Sequence, residues 1–560
     1  MIARALLIGL LTLPAFNLLA QPQASTEFLG VNERSPYSFI RLTVRNPSSD
    51  KSTFDILITD FQNQGELTLR DQTLQSGEER IYNLALPFVR SSYVQLQERG
   101  GQRINAGSAN YSNNLVFLNI CGLERWASEK EMDDFSKAFL TRPPSSSRER
   151  VVSQIEPRSL PDNWLCYTPF TAVFCKEAAY NQISASARVA LLTWVNSGGE
   201  LVVYGSDKNK DEPSMLGRIR YQSESPITPN ASDIPSAWRQ DKEEWKRFYG
   251  SIPRPASNRG SSYRQGSQTN NFPYSAGKAG GRVGAFVLTT IFLILAGPVN
   301  YIYMKRKMKL RMLLVSLPAI SMIFCFLMVL FFLATQGFAK RGGSFSLTLL
   351  DEPNGAALTL ARHSLLSGLY PLGGFQFSPE TAFVPLQPPN DFSIEMTKNL
   401  HVRSGIFIPT TDFQYLTVTP FNTREKLIYD AEAQTVINGF ETAVRGLVLE
   451  DRGAFYTAEK LSPGAKAALR KLPEEEVSKF AAVAGPDRLA LFFSDRFVEP
   501  REREFLGGRF WPLASPALKS AQTRYLVRLE KNISSVQSGT EIRGNHKCCL
   551  IAGVMQDSGS

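Results

Sequence analysis

The sequence predicts a multidomain chain, α/β plus all-β, hung on a two-helix transmembrane hairpin. Three observations predict it. Two uncharged apolar stretches, residues 283–303 and 312–335, are each long enough to cross a bilayer. Between residues 111 and 205, buried-strand and amphipathic-helix patterns alternate, as a parallel sheet requires. Elsewhere, short runs alternate apolar and polar residues, the mark of half-buried strands.

The 560 residues leave room for three or four domains at about 150 residues each. With 43% hydrophobic and 20% charged residues, the chain is neither disordered nor a polytopic membrane protein. Residues 1–20 read as a signal peptide. Arg4 supplies the charged start, the apolar run to Ala20 is too short to span comfortably, and Leu18 and Ala20 form a cleavage pair.

Residues 21–110 read as a β-sandwich of immunoglobulin-like type. Phe54, Ile56 and Ile58 alternate with more polar neighbours, as do Tyr82, Leu84 and Leu86. Residues 46–50 and Gly100-Gly101 are turn signals. Residues 111–249 read as the α/β domain. Residues 115–120, 170–174 and 201–205 are strand-like. Residues 128–131 form a capping box ahead of Met132, Phe135 and Phe139 on one helical face. Ile183, Ala187, Leu191 and Trp194 line a second helix that stops at Ser197-Gly198-Gly199.

Residues 250–282 read as a basic flexible linker, rich in Ser, Gly, Asn and Arg. The spans follow at 283–303, roughly 31 Å as a helix, and 312–335, roughly 36 Å. The loop between them, residues 304–311, carries Lys305, Arg306, Lys307, Lys309 and Arg311 and no acid. Each outer flank carries only two cations, Lys278 and Arg282 before, Lys340 and Arg341 after. The excess places the loop in the cytoplasm and both large regions outside.

Residues 336–560 read as a mostly β domain, with strands at 345–350, 415–419, 426–437 and 447–449, a hairpin signal at Asn438-Gly439 and a helix over 462–472. The net charge of +10 concentrates beside the membrane: residues 245–282 hold seven cations and no acid, and the loop adds five. This charge reads first as a topology signal plus a solvated linker, with contact to anionic lipid headgroups as the alternative, and not as a nucleic-acid surface.

Leu160-Pro161-Asp162-Asn163-Trp164-Leu165-Cys166-Tyr167, together with residues 190–205 (ALLTWVNSGGELVVYG), resembles the class I glutamine amidotransferase-like domain of a bacterial membrane protein family. Gly297-Pro298-Val299-Asn300-Tyr301 and Tyr525-Leu526-Val527-Arg528-Leu529, with the late His546, are similar to the same group. The resemblance implies a flavodoxin-like fold and a location in the bacterial inner membrane with both large domains extracytoplasmic. It implies no established activity.

An amidotransferase needs a cysteine on a tight strand-to-helix turn, a histidine base and an orienting carboxylate. Cys121, followed by Gly122 after a strand, is the candidate nucleophile. The histidines are His363, His401 and His546, none of them in residues 21–282. His363, beside Arg362, reads as a surface residue. Cys166 and Cys175 are the candidate disulfide, permitted by an outside location. Cys325 reads as packing within a span, and Cys548 and Cys549 as neighbours that do not bridge each other. Glu131, Asp133 and Asp134 read as a solvated surface. No zinc spacing, Walker A or Gly-x-Ser-x-Gly motif occurs, so no metal or cofactor is expected.

The first functional expectation is a binding or interaction platform with a degenerate catalytic site. Its ligand crevice would lie at the carboxyl ends of the parallel strands, near Cys121, Gly122 and Gly205. Membrane lipids and envelope proteins are the expected partners. The alternatives are an accessory subunit of a transporter or secretion complex, with Gly297, Ser316 and Ser321 packing on partner helices, and a cysteine-dependent hydrolase whose site joins both outer domains through His546.

Overall fold

The computed structural model describes residues 22–30, 35, 37–60, 65–87, 91–98, 103–110, 115–120, 150–170, 172–206, 210–223, 280–307, 312–336, 341–366, 374–385, 393–397, 401–404, 413–475, 523–530 and 543–554. The signal segment 1–20, Gly100-Gly101, Cys121, Gly122, the helix expected at 128–139 with its acids, most of the basic linker, Lys309 and Arg311 lie outside these residues.

The first region supplies β1 (Gln23–Gly30), β2 (Tyr37–Arg45), β3 (Ser52–Asp60), β4 (Gly65–Leu74), β5 (Glu79–Pro87), β6 (Ser91–Glu98) and β7 (Arg103–Asn110). The α/β region supplies β8 (Leu115–Asn119), β9 (Arg150–Gln154), β10 (Ala172–Lys176), β11 (Glu200–Tyr204), β12 (Lys210–Pro213) and β13 (Arg218–Gln222). Its helices are α1 (Glu177–Tyr180) and α2 (Ala185–Asn196). The hairpin is α3 (Gly280–Ile294), a π-helical turn at Leu295–Val299, α4 (Asn300–Arg306) and α5 (Leu313–Gln336).

The region after the hairpin supplies β14 (Arg341–Asp351), β15 (Ala356–Leu366), β16 (Phe375–Phe377), β17 (Ala382–Pro385), β18 (Ser393–Met396), β19 (His401–Ser404) and β20 (Phe413–Asn422). It continues with β21 (Leu427–Asp430), β22 (Thr435–Asn438), β23 (Val444–Asp451), β24 (Ala454–Ala458), β25 (Lys466–Ala468), β26 (Arg470–Lys471), β27 (Thr523–Leu529) and β28 (Arg543–Val554).

The α/β sheet runs β12-β13-β11-β10-β8-β9, with β12 antiparallel at one edge and every other pairing parallel. Numbered along the chain, its five parallel strands stand in the order 2-1-3-4-5. Helix α2 packs on it through Ala187, Leu191 and Trp194, all buried. Ser184 caps its start, its hydroxyl accepting from the Ala187 amide at 3.3 Å. Its end follows the expected stop: Gly198 takes φ +109°, and the Gly199 amide donates back to the Trp194 carbonyl at 2.9 Å. A Cβ on Gly199 would stand 2.3 Å from the Trp194 ring, so only glycine lets the strand leave so close to the helix.

The sandwich departs from the expected boundaries. One sheet is β1-β2-β5. The other runs β16-β19-β18-β4-β3-β6-β7, so three of its strands come from beyond the hairpin. The joint is a parallel ladder between β4 and β18, with Ser393 to Met396 opposite Glu66 to Leu69. The core between the sheets mixes Ile40, Leu42, Phe54, Ile56 and Val94 with Phe375, Phe377, Ile394 and Tyr415. The separate outer domains expected at 21–110 and 336–560 are one co-folded body, because neither sandwich core is complete without the other segment.

Strand β2 explains how the α/β unit joins that body. Its alternation sends Ile40, Leu42 and Val44 into the sandwich, and Tyr37 and Phe39 into the α/β core with Ile155, Trp164, Leu165 and Phe170. The three-stranded sheet is thus a wall shared by two cores.

Beyond the hairpin, a nine-stranded sheet runs β17-β20-β15-β14-β28-β27-β23-β24-β26. A small sheet, β21-β22-β25, covers one end through Leu427, Val436 and Phe440 against Leu447, Val527 and Ile551. Two expectations fail here. Residues 462–472 are not helical: β25 pairs with β22 and β26 with β24. The β21–β22 hairpin turns at 431–434, ahead of Asn438-Gly439. Asn438 is instead a buried brace, donating to the carbonyls of Thr442 at 3.0 Å and Leu461 at 3.1 Å.

The two hairpin helices are long and apolar enough to cross a membrane. Pro298 falls in the π-helical turn, whose extra residue absorbs its missing amide donor. The helices pack through Phe292 stacked on Phe324 at 4.4 Å between ring centroids, and through Gly284, where a Cβ would meet the Phe331 ring at 2.4 Å. Buried Asn300 donates to the Ser316 hydroxyl at 3.0 Å. Ser316 thus ties the two helices of the hairpin to each other.

Candidate functional site

Strand order reverses between β8 and β10, and a doubly wound sheet takes its ligands at the carboxyl ends of the strands beside such a point. The β8–β10 ladder ends with the Ile120 amide donating to the Phe174 carbonyl at 2.8 Å. Cys121 and Gly122 come next in the chain, outside the described residues. Beyond β10 stands Glu177, and beyond β11 stand Gly205 and Ser206.

Gly205 is exposed at φ +76°, with open space where a Cβ would point. That conformation turns the chain sharply off the strand end and brings Ser206 inward. The Ser206 hydroxyl, buried, donates to Glu177 Oε1 at 3.2 Å. Tyr221 faces Val203 on one side and Lys210 on the other. Burial, reinforced by Glu212, pushes its phenol up to about 12. Burial also raises the Tyr180 phenol, and the Arg188 guanidinium lies 5.1 Å from the Tyr180 ring centroid while donating to the Tyr180 carbonyl at 3.2 Å. Lys210 and Glu212 form an exposed pair at 3.4 Å. Glu177 and Ser206 thus meet just beyond β10 and β11, while Tyr180 and Tyr221 pack partly buried against the α/β core.

Gly205 directly follows β11, at the carboxyl end of that strand. Glu177, Ser206, Tyr180 and Tyr221 were not anticipated. The signal that could have found them is position, since Glu177 and Ser206 each lie within a few residues of an expected strand end.

The expected disulfide is absent. Cys166 and Cys175 are buried thiols with no disulfide between them. Cys166 is locked in a 3₁₀ turn, while the Cys175 thiol donates to the Lys176 carbonyl at 3.4 Å. Burial pushes the Cys166 thiol far up, so it offers no thiolate. Cys325 is exposed on α5 and Cys549 is buried in β28. The latter packs in the core between the nine-stranded and small sheets.

His363 is fully buried, which corrects its reading as a surface residue. Its Nε2 lies 3.0 Å from the Thr417 hydroxyl, and its ring stacks on Tyr415 at 4.8 Å between centroids. Strand alternation separates it from Arg362, which turns to the other face. His401 sits on β19 opposite Phe377, and His546 on β28 opposite Gly343. Among the described residues, no three His, Cys, Asp or Glu side chains gather as a metal site.

The motif at residues 160–167 has a different role from the crevice. The Asn163 side chain accepts from the Leu165 amide at 3.0 Å and starts the 3₁₀ turn Trp164–Tyr167. Trp164 Nε1 then donates to the Glu380 carbonyl at 2.7 Å, beyond the hairpin in sequence. Tyr37 reinforces the joint, its hydroxyl accepting from the Phe383 amide at 2.8 Å.

No family description matches the chain, and no curated protein does. Among solved structures, an ApaA protein from Bordetella pertussis is 16% identical, over 16% of this chain and 90% of that one, with a TM-score of 0.12. The mu-homology domain of yeast delta-COP-I, solved with a Dsl1 peptide, is 9% identical, over 38% and 96% of the two chains, at 0.18. A Paenibacillus cycloisomaltooligosaccharide glucanotransferase is 9% identical, over 40% and 44%, at 0.16. None of these values reaches a shared overall fold.

Proposed function

We propose that the chain is a membrane-anchored platform of the bacterial inner membrane, whose single outer body binds a polar ligand or an envelope protein at the α/β crevice. The observation that carries this reading is the β4–β18 ladder, with the Trp164 and Tyr37 joints beside it. Strands made before and after the hairpin share one sheet, so both large regions stand on the same side of any membrane that the hairpin enters. The cation-rich loop favours the cytoplasm for the bend, and hence the periplasmic side for the body.

The parallel order 2-1-3-4-5 is that of flavodoxin-type sheets, which supports the amidotransferase-like resemblance. Binding is favoured over hydrolysis because the α/β region holds no histidine, and His363 is walled off from any substrate. The test is glutamine hydrolysis by the purified full-length protein, with Cys121→Ala as control. No hydrolysis by either is expected; hydrolysis lost in Cys121→Ala overturns the binding reading. For orientation, a thiol engineered at Met308 should resist an impermeant reagent in intact cells while one at Ser76 reacts. Labelling of Met308 from outside overturns the topology.

A further inference from the structure

We infer that the bend of the hairpin, through Lys305, Arg306 and Lys307 with Tyr301 and Tyr303, binds the headgroups of anionic phospholipids. The inference rests on the proposed membrane reading and adds the partner's chemistry to it.

Charge balance is the first argument. Between Glu244 and Asp351 the sequence contains no acidic side chain. The cations at the bend therefore have no carboxylate near them in the chain, and the carboxylates of the outer body belong to the far end of two membrane-length helices. Lys305, Arg306 and Lys307 are all exposed. Their countercharge has to come from outside the protein, and at the end of a membrane-spanning helix the neighbouring anions are lipid phosphates.

Local geometry is the second. Lys305 and Arg306 lie in the last turn of α4, where the unpaired carbonyls favour cations and hold them at the helix end. The Lys307 amide closes that turn onto the Tyr303 carbonyl at 3.2 Å. This brings the Lys307 ammonium over the Tyr303 ring, 4.9 Å from its centroid. Tyr301 and Tyr303 are about half exposed, at 49% and 52%. Tyrosines so placed sit at headgroup level, ring in the acyl boundary and hydroxyl toward water. Three adjacent cations on a turn flanked by two such rings can meet phosphate from more than one lipid. A zwitterionic lipid offers the same phosphate but brings its own cation, so the preference is for net-negative headgroups.

The experiment uses the full chain, reconstituted into vesicles of phosphatidylcholine and phosphatidylglycerol and extracted in mild detergent. Native mass spectrometry counts the retained lipids. The expected result is retention of phosphatidylglycerol about tenfold above its bulk ratio, for cations each worth several-fold near a surface. Lys305→Gln/Arg306→Gln/Lys307→Gln should fall to within about twofold of bulk, while Lys305→Arg/Lys307→Arg keeps the enrichment. Because loss of loop charge can invert insertion, sidedness is checked by proteolysis of the outer body. Tyr303→Leu, which leaves every charge in place, should halve the enrichment or more.

Wild-type retention at the bulk ratio overturns the inference, as does equal enrichment in the triple variant. Abolition of enrichment by excess inorganic phosphate, but not by chloride at equal ionic strength, identifies a free-phosphate site and overturns the lipid source. Recovery of the protein in the aqueous fraction without detergent overturns the membrane reading itself, a failure distinct from the others.

Discussion

Replacing Trp164 with Phe tests the joint across the hairpin. The side chain is 3% exposed and its indole N–H donates to the Glu380 carbonyl at 2.7 Å. Phe keeps most of the apolar packing and removes the donor. The lost hydrogen bond is worth about 1 kcal/mol, and stranding the carbonyl adds at least about as much. The smaller ring leaves a void on the order of 40 Å³, worth about 1 kcal/mol at ~24 cal/mol per Å³. The sum is about 3 kcal/mol, or on the order of 6 °C in Tm for a unit of this size. The assay is hydrogen exchange on the full-length protein in detergent, following peptides from β4 and β18, with a thermal melt beside it. Both strands should lose protection together and by the same amount. Loss of protection in β4 alone, with β18 melting as in the wild type, would refute the single co-folded body.

Asn300→Leu should loosen α4 from α5 by about 1 kcal/mol, the range of intramembrane side-chain hydrogen bonds. Adding Ser316→Ala should cost little more, read as cysteine cross-linking between the helices; full additivity would show that the two side chains are independent. Native Cys166 should resist an alkylating reagent at pH 8 and react after denaturation, and reductant should leave Tm unchanged. A reductant-sensitive Tm would restore the disulfide. Burial raises Glu352, which accepts from the Tyr525 hydroxyl at 2.6 Å. A raised carboxyl favours folding below its unfolded pKa, and that contribution is lost as pH climbs through the folded value. Glu352→Gln, which keeps the acceptor, should therefore gain Tm over wild type as pH rises from 4 to 8; a gap that narrows with rising pH contradicts the burial cause.

Local patterns were legible where each element carries its own signal. The apolar runs at 115–120, 170–174 and 201–205 became β8, β10 and β11, and the stripe from Ile183 to Trp194 became the buried face ending in α2. The stop at Ser197-Gly198-Gly199 follows from glycine chemistry alone. What could not be read was pairing between segments far apart. Nothing in residues 65–74 announces that β4 ends up beside β18. The Ala and Lys letters of 462–472 suit a helix until β22 and β24 offer them partners. His363 looked exposed because it adjoins Arg362, although alternation along β15 sends such neighbours to opposite faces. Glu177 and Ser206 carry no motif, and only the meeting of two strand ends makes them a pair.

The β4–β18 ladder also governs how the protein can be made. A ribosome finishes β4 and its whole hydrophobic face long before it reaches β18, and both long apolar helices are made in between. Throughout that interval the sandwich has a raw edge, with unpaired amides and carbonyls open to any passing strand. Truncated chains ending in the hairpin should accordingly be degraded rather than accumulate.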